Sequence, residues 1–256
     1  MTTIVAYGGG TNSTALLVGL LEQKEKPDLI LFADTGGEKP HTYEHINKVS
    51  AWCKANGFPS VTTVRHRDKE GRELTLEERC LAQRALPSLA YGFKSCSDKH
   101  KRRPQDSFVN AWAPAQAEWL AGDKVVKLIG YDADEPHRAK TYDDTKYTYR
   151  YPLIEWGWGR EECVAAISRA GLQQPGKSSC FFCPSSKKAE ILDLAARYPA
   201  LKDRALLLEA NAELSSVKGL GCRFSWREFL AESGDTTRFA DVGGELPCEC
   251  YDGGSE

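Results

Sequence analysis

Residues 3–13, TIVAYGGGTNS, set the architecture of this chain. The run TIVAY favours β-structure and stops at three glycines, after which leucines recur at helical spacing over residues 13–25. Thr11, Asn12 and Ser13 offer side-chain oxygens that can cap the start of this helix. The stretch therefore predicts a strand, a tight glycine turn and a helix.

The alternation of predicted strands and helices continues after residue 25. Residues 29–33 are almost entirely apolar, as is typical of a strand buried on both faces. Residues 41–55 have a helical pattern that Asn56-Gly57 closes, and residues 61–64 predict a third strand. This order implies right-handed βαβ crossovers and hence a doubly wound, mainly parallel α/β sheet.

The rest of the chain is less regular. Residues 131–151 are polar and rich in tyrosine, so we predict a loop over a cleft there. We predict an α/β domain over residues 1–175 and a helical, cysteine-containing region over residues 176–256. Further helices are expected over residues 76–84, 105–120, 160–170, 187–198, 201–214 and 226–232, and a further strand over residues 125–129.

Composition narrows the class of protein. The 256 residues are 41% hydrophobic and 27% charged, which is ordinary for a globular protein and argues against wholesale disorder. The net charge of −2 provides no global basic field for nucleic acid. No apolar stretch approaches the ~20 residues of a membrane helix, and the N-terminus lacks a secretory pattern. We therefore expect a cytoplasmic protein with no membrane partner.

The glycine turn has the features of an anion site. Glycines let backbone N–H groups approach an anion, and the start of the following helix adds partial positive charge. Thr11 and Ser13 add hydroxyl donors. The turn matches neither the Walker nor the Rossmann glycine pattern. The alternative is a βα connection that binds no ligand.

Four segments, in chain order, resemble the PP-loop ATP pyrophosphatases and PAPS reductases. The glycine turn resembles their S-G-G-x-D-S loop, and residues 32–36, FADTG, resemble their nucleotide-contacting strand end. Residues 130–138, GYDADEPHR, resemble the G-x-R-x-x-E-S-x-x-R stretch, and residues 151–156, YPLIEW, resemble P-L-x-D-W. The resemblance spans residues 3–185 and implies an adenine nucleotide alpha-hydrolase-like fold.

The resemblance implies that the chain binds ATP, or PAPS or APS, with Mg²⁺. It places Asp34 at the adenosine and uses Arg138 and Lys99 to balance phosphate charge, so Asp34 and Arg138 are candidate catalytic residues. Gly8 and Asn12 depart from the family's serine and aspartate, and a neutral amide binds a cation less well than a carboxylate. The implied nucleotide-binding residues are Tyr7, Gly8, Gly9, Gly10, Thr11, Asn12, Ser13, Asp34, Thr35, Lys99, Gly130, Glu135 and Arg138.

The cysteines form a second group of candidate functional residues. Nine cysteines, an odd number without an export signal, favour metal or redox chemistry over a disulfide framework. Cys180 and Cys183 form a Cys-x-x-Cys pair that can reach one metal or cluster. Cys53 and Cys163 lie within helical patterns and are predicted to belong to the core.

The segment from Cys96 to Pro104 resembles the cysteine-bearing basic segment of APS reductases, which hold a [4Fe–4S] cluster with a Cys-Cys pair there and a later Cys-x-x-Cys. The implied ligands are Cys96, Cys180 and Cys183. We prefer Cys80 as the fourth, and the alternatives are Cys222, Cys248 and Cys250. Structural zinc, a redox dithiol and plain buried thiols compete with the cluster.

Charged and aromatic clusters give weaker indications. The basic run around Lys99 could neutralise a nucleotide or contact a nucleic-acid backbone, or be a solvated helix face. Trp156 and Trp158 could stack on a base, although packing in the core or an interface is the better explanation for each of them. His41 and His45 are predicted to lie on a solvated helix face.

The leading functional hypothesis is adenylylation of an acceptor followed by sulfur transfer at a cluster-bound or cysteine-bound sulfur. The acceptor is a nucleobase, a nucleic acid or a small molecule, and a homodimer is one expectation for the assembly. A second hypothesis is a sulfonucleotide reductase with Cys250 as nucleophile, although the tail lacks the family's Gly-x-His after Glu-Cys. A third is a non-catalytic nucleotide- and metal-binding module, which Asn12 favours.

Overall fold

The computed structural model describes residues 1–140 and 144–234. These residues form a five-stranded sheet in the order β3-β2-β1-β4-β5, with every neighbouring pair parallel. The chain builds outward from β1 to β3 and then crosses back to place β4 on the other side of β1. This confirms the predicted doubly wound α/β sheet. The strands are β1 (Thr3–Tyr7), β2 (Leu29–Asp34), β3 (Val61–Arg65), β4 (Val125–Ile129) and β5 (Tyr147–Arg150).

Helices flank the sheet and dominate the C-terminal part of the described chain. Among all the residues that the structure describes, no helix is long and apolar enough to cross a membrane. A π-helical turn, Asp98–Arg102, joins the fourth and fifth helices. The helices are α1 (Thr11–Glu22), α2 (Pro40–Ala55), α3 (Leu76–Ala82), α4 (Ser95–Ser97), α5 (Arg103–Ala111), α6 (Ala113–Leu120), α7 (Pro152–Glu155), α8 (Arg160–Arg169), α9 (Lys188–Arg197), α10 (Pro199–Asn211) and α11 (Trp226–Glu232).

The edge strand β5 and the helices α5 and α6 differ from the sequence predictions. The end of the predicted loop over residues 131–151 forms β5, which pairs with β4 from Val125↔Tyr147 onward. This strand has four residues, of which only Tyr147 is buried, so it lacks the apolar run of a central strand. The single helix predicted over residues 105–120 is broken at Trp112, whose ψ is 120°. Pro114 lies in the first turn of α6, where its missing N–H is tolerated.

Each face of the sheet carries its own core. Val5 and Ile30 point to a core that includes Leu16 of α1, whereas Ile4 and Leu31 point to one that includes Val109 of α5. Alternate residues of the same strand thus serve opposite faces, because side chains alternate along a strand. Every residue of β2 is buried. The near-continuous apolar run of this strand follows from burial on both faces.

A further core lies beside the sheet. Cys180, Phe182 and Trp226 from the C-terminal part pack with Leu76 and Cys80 of α3. The helical lobe therefore draws one of its helices from the middle of the chain. The domain boundary between residues 175 and 176 stays a prediction.

Glu209 of α10 organises this lobe. Its carboxylate accepts hydrogen bonds from the backbone N–H groups of Leu220, Trp226 and Arg227 at 2.8, 2.9 and 3.0 Å and from Ser225 Oγ at 2.6 Å. We expect Glu209→Ala to lower the free energy of unfolding by about 3 kcal/mol or more, because several buried donors lose a charged acceptor. Urea unfolding followed by tryptophan fluorescence measures this loss.

Glu213 provides the matched control. It is exposed and forms an ion pair with Arg84 at 3.0 Å. Exposed pairs contribute little, so Glu213→Ala should change the free energy of unfolding by less than about 1 kcal/mol. Equal losses in the two variants would contradict the structural role of Glu209.

Candidate functional site

The glycine turn lies at the point where the sheet order reverses, between β1 and β4. In open α/β sheets, ligands bind at this point, beyond the carboxyl ends of the strands. Gly9 has a φ of +74°, which favours glycine. Helix α1 begins at Thr11, so Gly10 occupies the cap position and the expectation of a cap at Thr11, Asn12 or Ser13 is wrong. Ser13 contributes instead from inside the first turn, where its Oγ accepts the Gly10 N–H at 3.2 Å.

Gly130 brings the end of β4 against this turn. A Cβ at Gly130 would lie 3.0 Å from the carbonyl oxygen of Asn12 and 3.2 Å from Cα of Ser13. Both neighbours are backbone atoms, which cannot move aside as a flexible side chain can. A glycine at position 130 is therefore required for the two loops to meet.

An open cleft of about 760 Å³ lies over this junction. Its size is within the range of small-molecule sites. Three cationic side chains reach its wall, and no carboxylate does among the described residues. The wall comes from the ends of β1, β2 and β4, the start of α1, and the segment around α5: Ala6, Tyr7, Gly8, Gly10, Thr11, Asn12, Ser13, Phe32, Ala33, Lys101, Gln105, Ile129, Gly130, Tyr131, Arg138, Arg160 and Ser178.

Arg138 is held in this wall by two contacts. Its Nη1 donates to Glu135 Oε2 at 2.7 Å, and its guanidinium lies 4.4 Å from the ring centroid of Tyr131. Glu135 is outside the wall and acts on the cleft through Arg138. The structure thus places Arg138 in the wall of the cleft at the glycine turn.

Asp34, at the end of β2, lies outside the cleft wall. Its carboxylate is buried and accepts from Gly36 N–H at 2.7 Å and Tyr43 Oη at 2.8 Å. Arg65 donates to its other oxygen through Nε at 3.0 Å and Nη2 at 2.7 Å. Asp34 is absent from the cleft wall, which Ala33 reaches instead. Its contact with a nucleotide stays a prediction.

Thr35 and Lys99 are also outside the cleft wall. Thr35 Oγ1 lies 3.1 Å from Cys180 Sγ, so this residue belongs to the cysteine region. Lys101, two residues beyond Lys99, reaches the cleft instead. Both lie in the π-helical turn, whose irregular winding makes the facing side chain hard to infer from spacing. Part of the basic run is neutralised locally, since Arg103 Nε donates to Asp98 at 2.6 Å.

A second cavity of about 590 Å³ brings three of the predicted ligands together. Cys180 and Cys183 are buried and Cys96 is partly exposed. Cys183 Sγ lies 3.7 Å from Ser185 Oγ. The wall is formed by Thr35, Leu76, Pro87, Leu89, Lys94, Cys96, Ser97, Lys101, Cys180, Phe182, Cys183, Pro184 and Ser185.

The fourth predicted ligand is not in this wall. Cys80 is buried in the apolar core that also contains Cys180 and Cys183 and against which Cys96 packs, and burial raises the pKa of its thiol to about 12. Cys222 is half-buried, while Cys248 and Cys250 lie outside the described residues. Within residues 1–140 and 144–234, no group of three or more His, Cys, Asp or Glu side chains is arranged to hold a metal ion. That finding concerns sites for a single ion such as zinc, whose ligands converge on one point. The thiolates that hold a four-iron cluster lie farther apart, because they surround a larger body.

Lys101 lies in the walls of both cavities. Its Nζ is 3.7 Å from Oε1 of Glu38, whose side chain is fully buried. Burial raises the pKa of Glu38, and the charge of Lys101 opposes that effect. Glu38 also forms an antiparallel backbone bridge with Cys180. The Lys101–Glu38 pair therefore stands where the cleft and the cysteine cavity adjoin.

Several other predicted residues serve packing. Cys53 and Cys163 are fully buried, which confirms their place in the core. Trp156 packs so tightly on Gly19 that an added Cβ would lie 2.2 Å from its ring, which leaves no room there for a base. His45 is buried, so the prediction of a solvated face is wrong for it. Its Nε2 lies 2.9 Å from Thr14 Oγ1, and burial lowers its pKa to about 4.

No protein-family model matches this chain, and no curated protein matches it. The solved structures that it resembles include the U34-tRNA thiolase NcsA from Methanococcus maripaludis with its [4Fe-4S] cluster. That match has 15% sequence identity and a TM-score of 0.44, and it covers 92% of this chain and 82% of that one. A match at this level says nothing about the activity of the present chain.

Proposed function

We propose that the chain is a PP-loop-type enzyme that adenylylates an acceptor and transfers sulfur to it beside a cysteine-ligated [4Fe–4S] cluster. The observation that supports this proposal is the position of Lys101. One lysine lines both the cleft at the glycine turn and the cavity of the three cysteines. Nucleotide chemistry and sulfur chemistry can therefore occur at adjoining sites.

The cleft suits an adenine nucleotide. Backbone N–H groups of the turn and the start of α1 face the position of a phosphate, as at other helix N-termini that bind anions. Phe32 and Ala33 offer an apolar wall for the base, and Lys101 and Arg138 offer positive charge for the phosphates. The base and the phosphates thus each have a suitable neighbour.

The residues of the cysteine cavity fit a cluster. Cys96, Cys180 and Cys183 are the thiolate ligands, and apolar neighbours such as Phe182 and Pro184 shield the site from water. When bound there, the cluster would supply the sulfur-handling chemistry. Lys94 and Lys101 add positive charge to this wall, which would offset the negative charge of a thiolate-ligated cluster.

The proposed reaction has two steps. A carbonyl oxygen of the acceptor attacks the α-phosphorus of ATP, the bond to the β-phosphate oxygen breaks, and pyrophosphate leaves. A hydrosulfide-class donor then attacks the activated carbon, and AMP leaves with the former acceptor oxygen. In both steps the cations of the cleft wall stabilise negative charge that develops on the α-phosphate.

Product analysis tests this function against the two alternatives. Anaerobically purified protein is incubated with ATP, a hydrosulfide donor and nucleic-acid or nucleobase acceptors, and in parallel with PAPS or APS and a thiol reductant. Acceptor-dependent AMP and pyrophosphate are the expected products. Sulfite from PAPS or APS would instead identify a sulfonucleotide reductase. ATP binding without AMP, pyrophosphate or sulfite would indicate a nucleotide- and metal-binding module.

A further inference from the structure

Arg160, the first residue of α8, lies in the cleft wall. We propose that Arg160 is a nucleotide-phosphate ligand, positioned by a hydrogen-bond relay from Asp132 through Asn12, and that it takes the place of a divalent cation. The cleft then binds its nucleotide without Mg²⁺. This inference rests on the nucleotide cleft of the proposed function and specifies the form of nucleotide that enters it.

The relay begins at a loop that is fastened to α8. Asp134 Oδ2 accepts the backbone N–H of Arg160 at 2.6 Å, at the first residue of that helix. A Cβ at Gly159 would lie 2.8 Å from the carboxylate oxygens of Asp134, so the loop sits directly on the helix start. Asp132 is 2% exposed, and its Oδ1 accepts the Asp134 N–H at 3.2 Å. The carboxylate of Asp132 is thereby held in place.

Asp132 in turn sets the orientation of the Asn12 amide. Asn12 Nδ2 donates to Asp132 Oδ2 at 2.8 Å. An ionised carboxylate only accepts hydrogen bonds, so the amide nitrogen must face Asp132 and the amide oxygen must face away. That oxygen, Oδ1, receives Nη1 of Arg160 at 3.4 Å. The contacts join side chains 120 and 148 residues apart in sequence.

The identity of residue 12 is the critical point. An aspartate there would face Asp132 at hydrogen-bond distance, and the two like charges would repel unless a cation lay between them. Asparagine removes this conflict and accepts from Arg160. The positive charge beside the glycine turn is therefore that of a guanidinium, which suits phosphate geometry.

The composition of the cleft wall agrees with this assignment. Arg160 joins Lys101 and Arg138, and the wall formed by the described residues contains no carboxylate. Magnesium sites in proteins usually include one or two carboxylates. The charge of the phosphates is thus met by side chains of this chain.

Calorimetric titration with the analogue α,β-methylene-ATP, in excess Mg²⁺ and in excess EDTA, tests the inference without turnover. The wild-type affinity should differ by less than about threefold between the two conditions. Arg160→Met should weaken binding in EDTA by about tenfold or more, since a charged hydrogen-bond donor is lost. Arg169→Met is the matched control, because Arg169 lies on the same helix and pairs with Glu22 and Glu162 outside the cleft wall.

Substitutions at Asn12 and Asp132 test the relay. Asn12→Asp should weaken binding by about tenfold in EDTA, and Mg²⁺ should restore it, because the cation bridges the two carboxylates. Asp132→Ala should weaken binding and make the additional Arg160→Met change nearly silent, whereas Asp132→Asn, which keeps an acceptor, should bind nearly as wild type. Thermal unfolding of each variant checks that the fold is retained.

The outcomes separate this inference from the proposed function. Wild-type binding that strictly requires Mg²⁺, or Arg160→Met binding as tightly as wild type in EDTA, would overturn the inference and leave nucleotide binding intact. Absence of nucleotide binding in both conditions would overturn the proposed function as well.

Discussion

Replacement of Cys180 by alanine is expected to abolish cluster binding. Wild-type protein purified without oxygen should contain about four irons and four acid-labile sulfides per chain and absorb near about 400 nm. Cys180 lies in one cavity wall with Cys96 and Cys183, so the alanine variant keeps only two of the three thiols gathered there. Iron, sulfide and zinc analysis of both proteins, with their absorption spectra, measures the effect.

Two cysteine variants sharpen this experiment. Cys53→Ala removes a buried thiol of the sheet core, far from the cavity wall, and should keep its full iron content while losing about 1 kcal/mol of stability. Cys80→Ala tests the fourth ligand: loss of iron would identify Cys80 as a ligand, and retention would assign it to packing. Zinc in place of iron in the wild type, or unchanged iron in Cys180→Ala, would refute the cluster.

Replacement of Lys101 by methionine is expected to have the second large effect, on turnover. Acceptor-dependent AMP release should fall by about 100-fold or more, because a cation aimed at developing phosphate charge is removed from a partly enclosed site. Nucleotide affinity should fall less, by about tenfold, since Arg138 and the turn remain. Steady-state AMP release and calorimetric binding, measured on the same preparations, separate the two effects.

Substitution of Lys101 also affects the buried side chain of Glu38. Its buried carboxylate lies 3.7 Å from Lys101 Nζ, and leaving it without that charge risks a loss of stability that has nothing to do with turnover. The double variant Lys101→Met with Glu38→Gln removes this cost and should be folded yet still inactive. Recovery of turnover in the double variant would show that Lys101 acts only through stability.

Lys99 is the matched control for Lys101. It lies in the same π-helical turn but outside the walls of both cavities. Lys99→Met should therefore retain most of the wild-type turnover. The reverse result, an inactive Lys99→Met and an active Lys101→Met, would support the sequence prediction for Lys99 and contradict the assignment made from the cavities.

Much of the fold could be predicted from sequence because it depends on local patterns. β1, β2, β3 and β4 appear within one residue of their predicted bounds, since each is a short run of β-favouring residues between polar or glycine-rich turns. The edge strand β5 was missed. Only the first of its four residues is buried, so the sequence shows no strand pattern there, and the strand is recognisable only from its pairing with β4.

The site was predictable where chemistry resides in a contiguous motif. The glycine turn, Gly130 and Arg138 all reach one cleft, and Cys96 joins the Cys-x-x-Cys pair in one cavity. These residues carry a distinctive spacing or a family resemblance. Cys80 had neither, only proximity in sequence to Cys96; it lies outside the cavity wall but in the same apolar core as Cys180 and Cys183, and its role as a ligand stays a prediction.

Local sequence was thus sufficient for the sheet, its glycine turn and the Cys-x-x-Cys pair, because hydrophobic periodicity and backbone freedom act over a few residues. Which charged side chains line the cavities was decided by the folded chain. Lys101 rather than Lys99 faces both cavities through the winding of a π-helical turn, and Arg160 reaches the cleft through Asn12, 148 residues away. Asp34 is drawn to Arg65, 31 residues away. Side-chain direction and long-range pairing arise only when distant elements pack together, so no spacing along the chain encodes them.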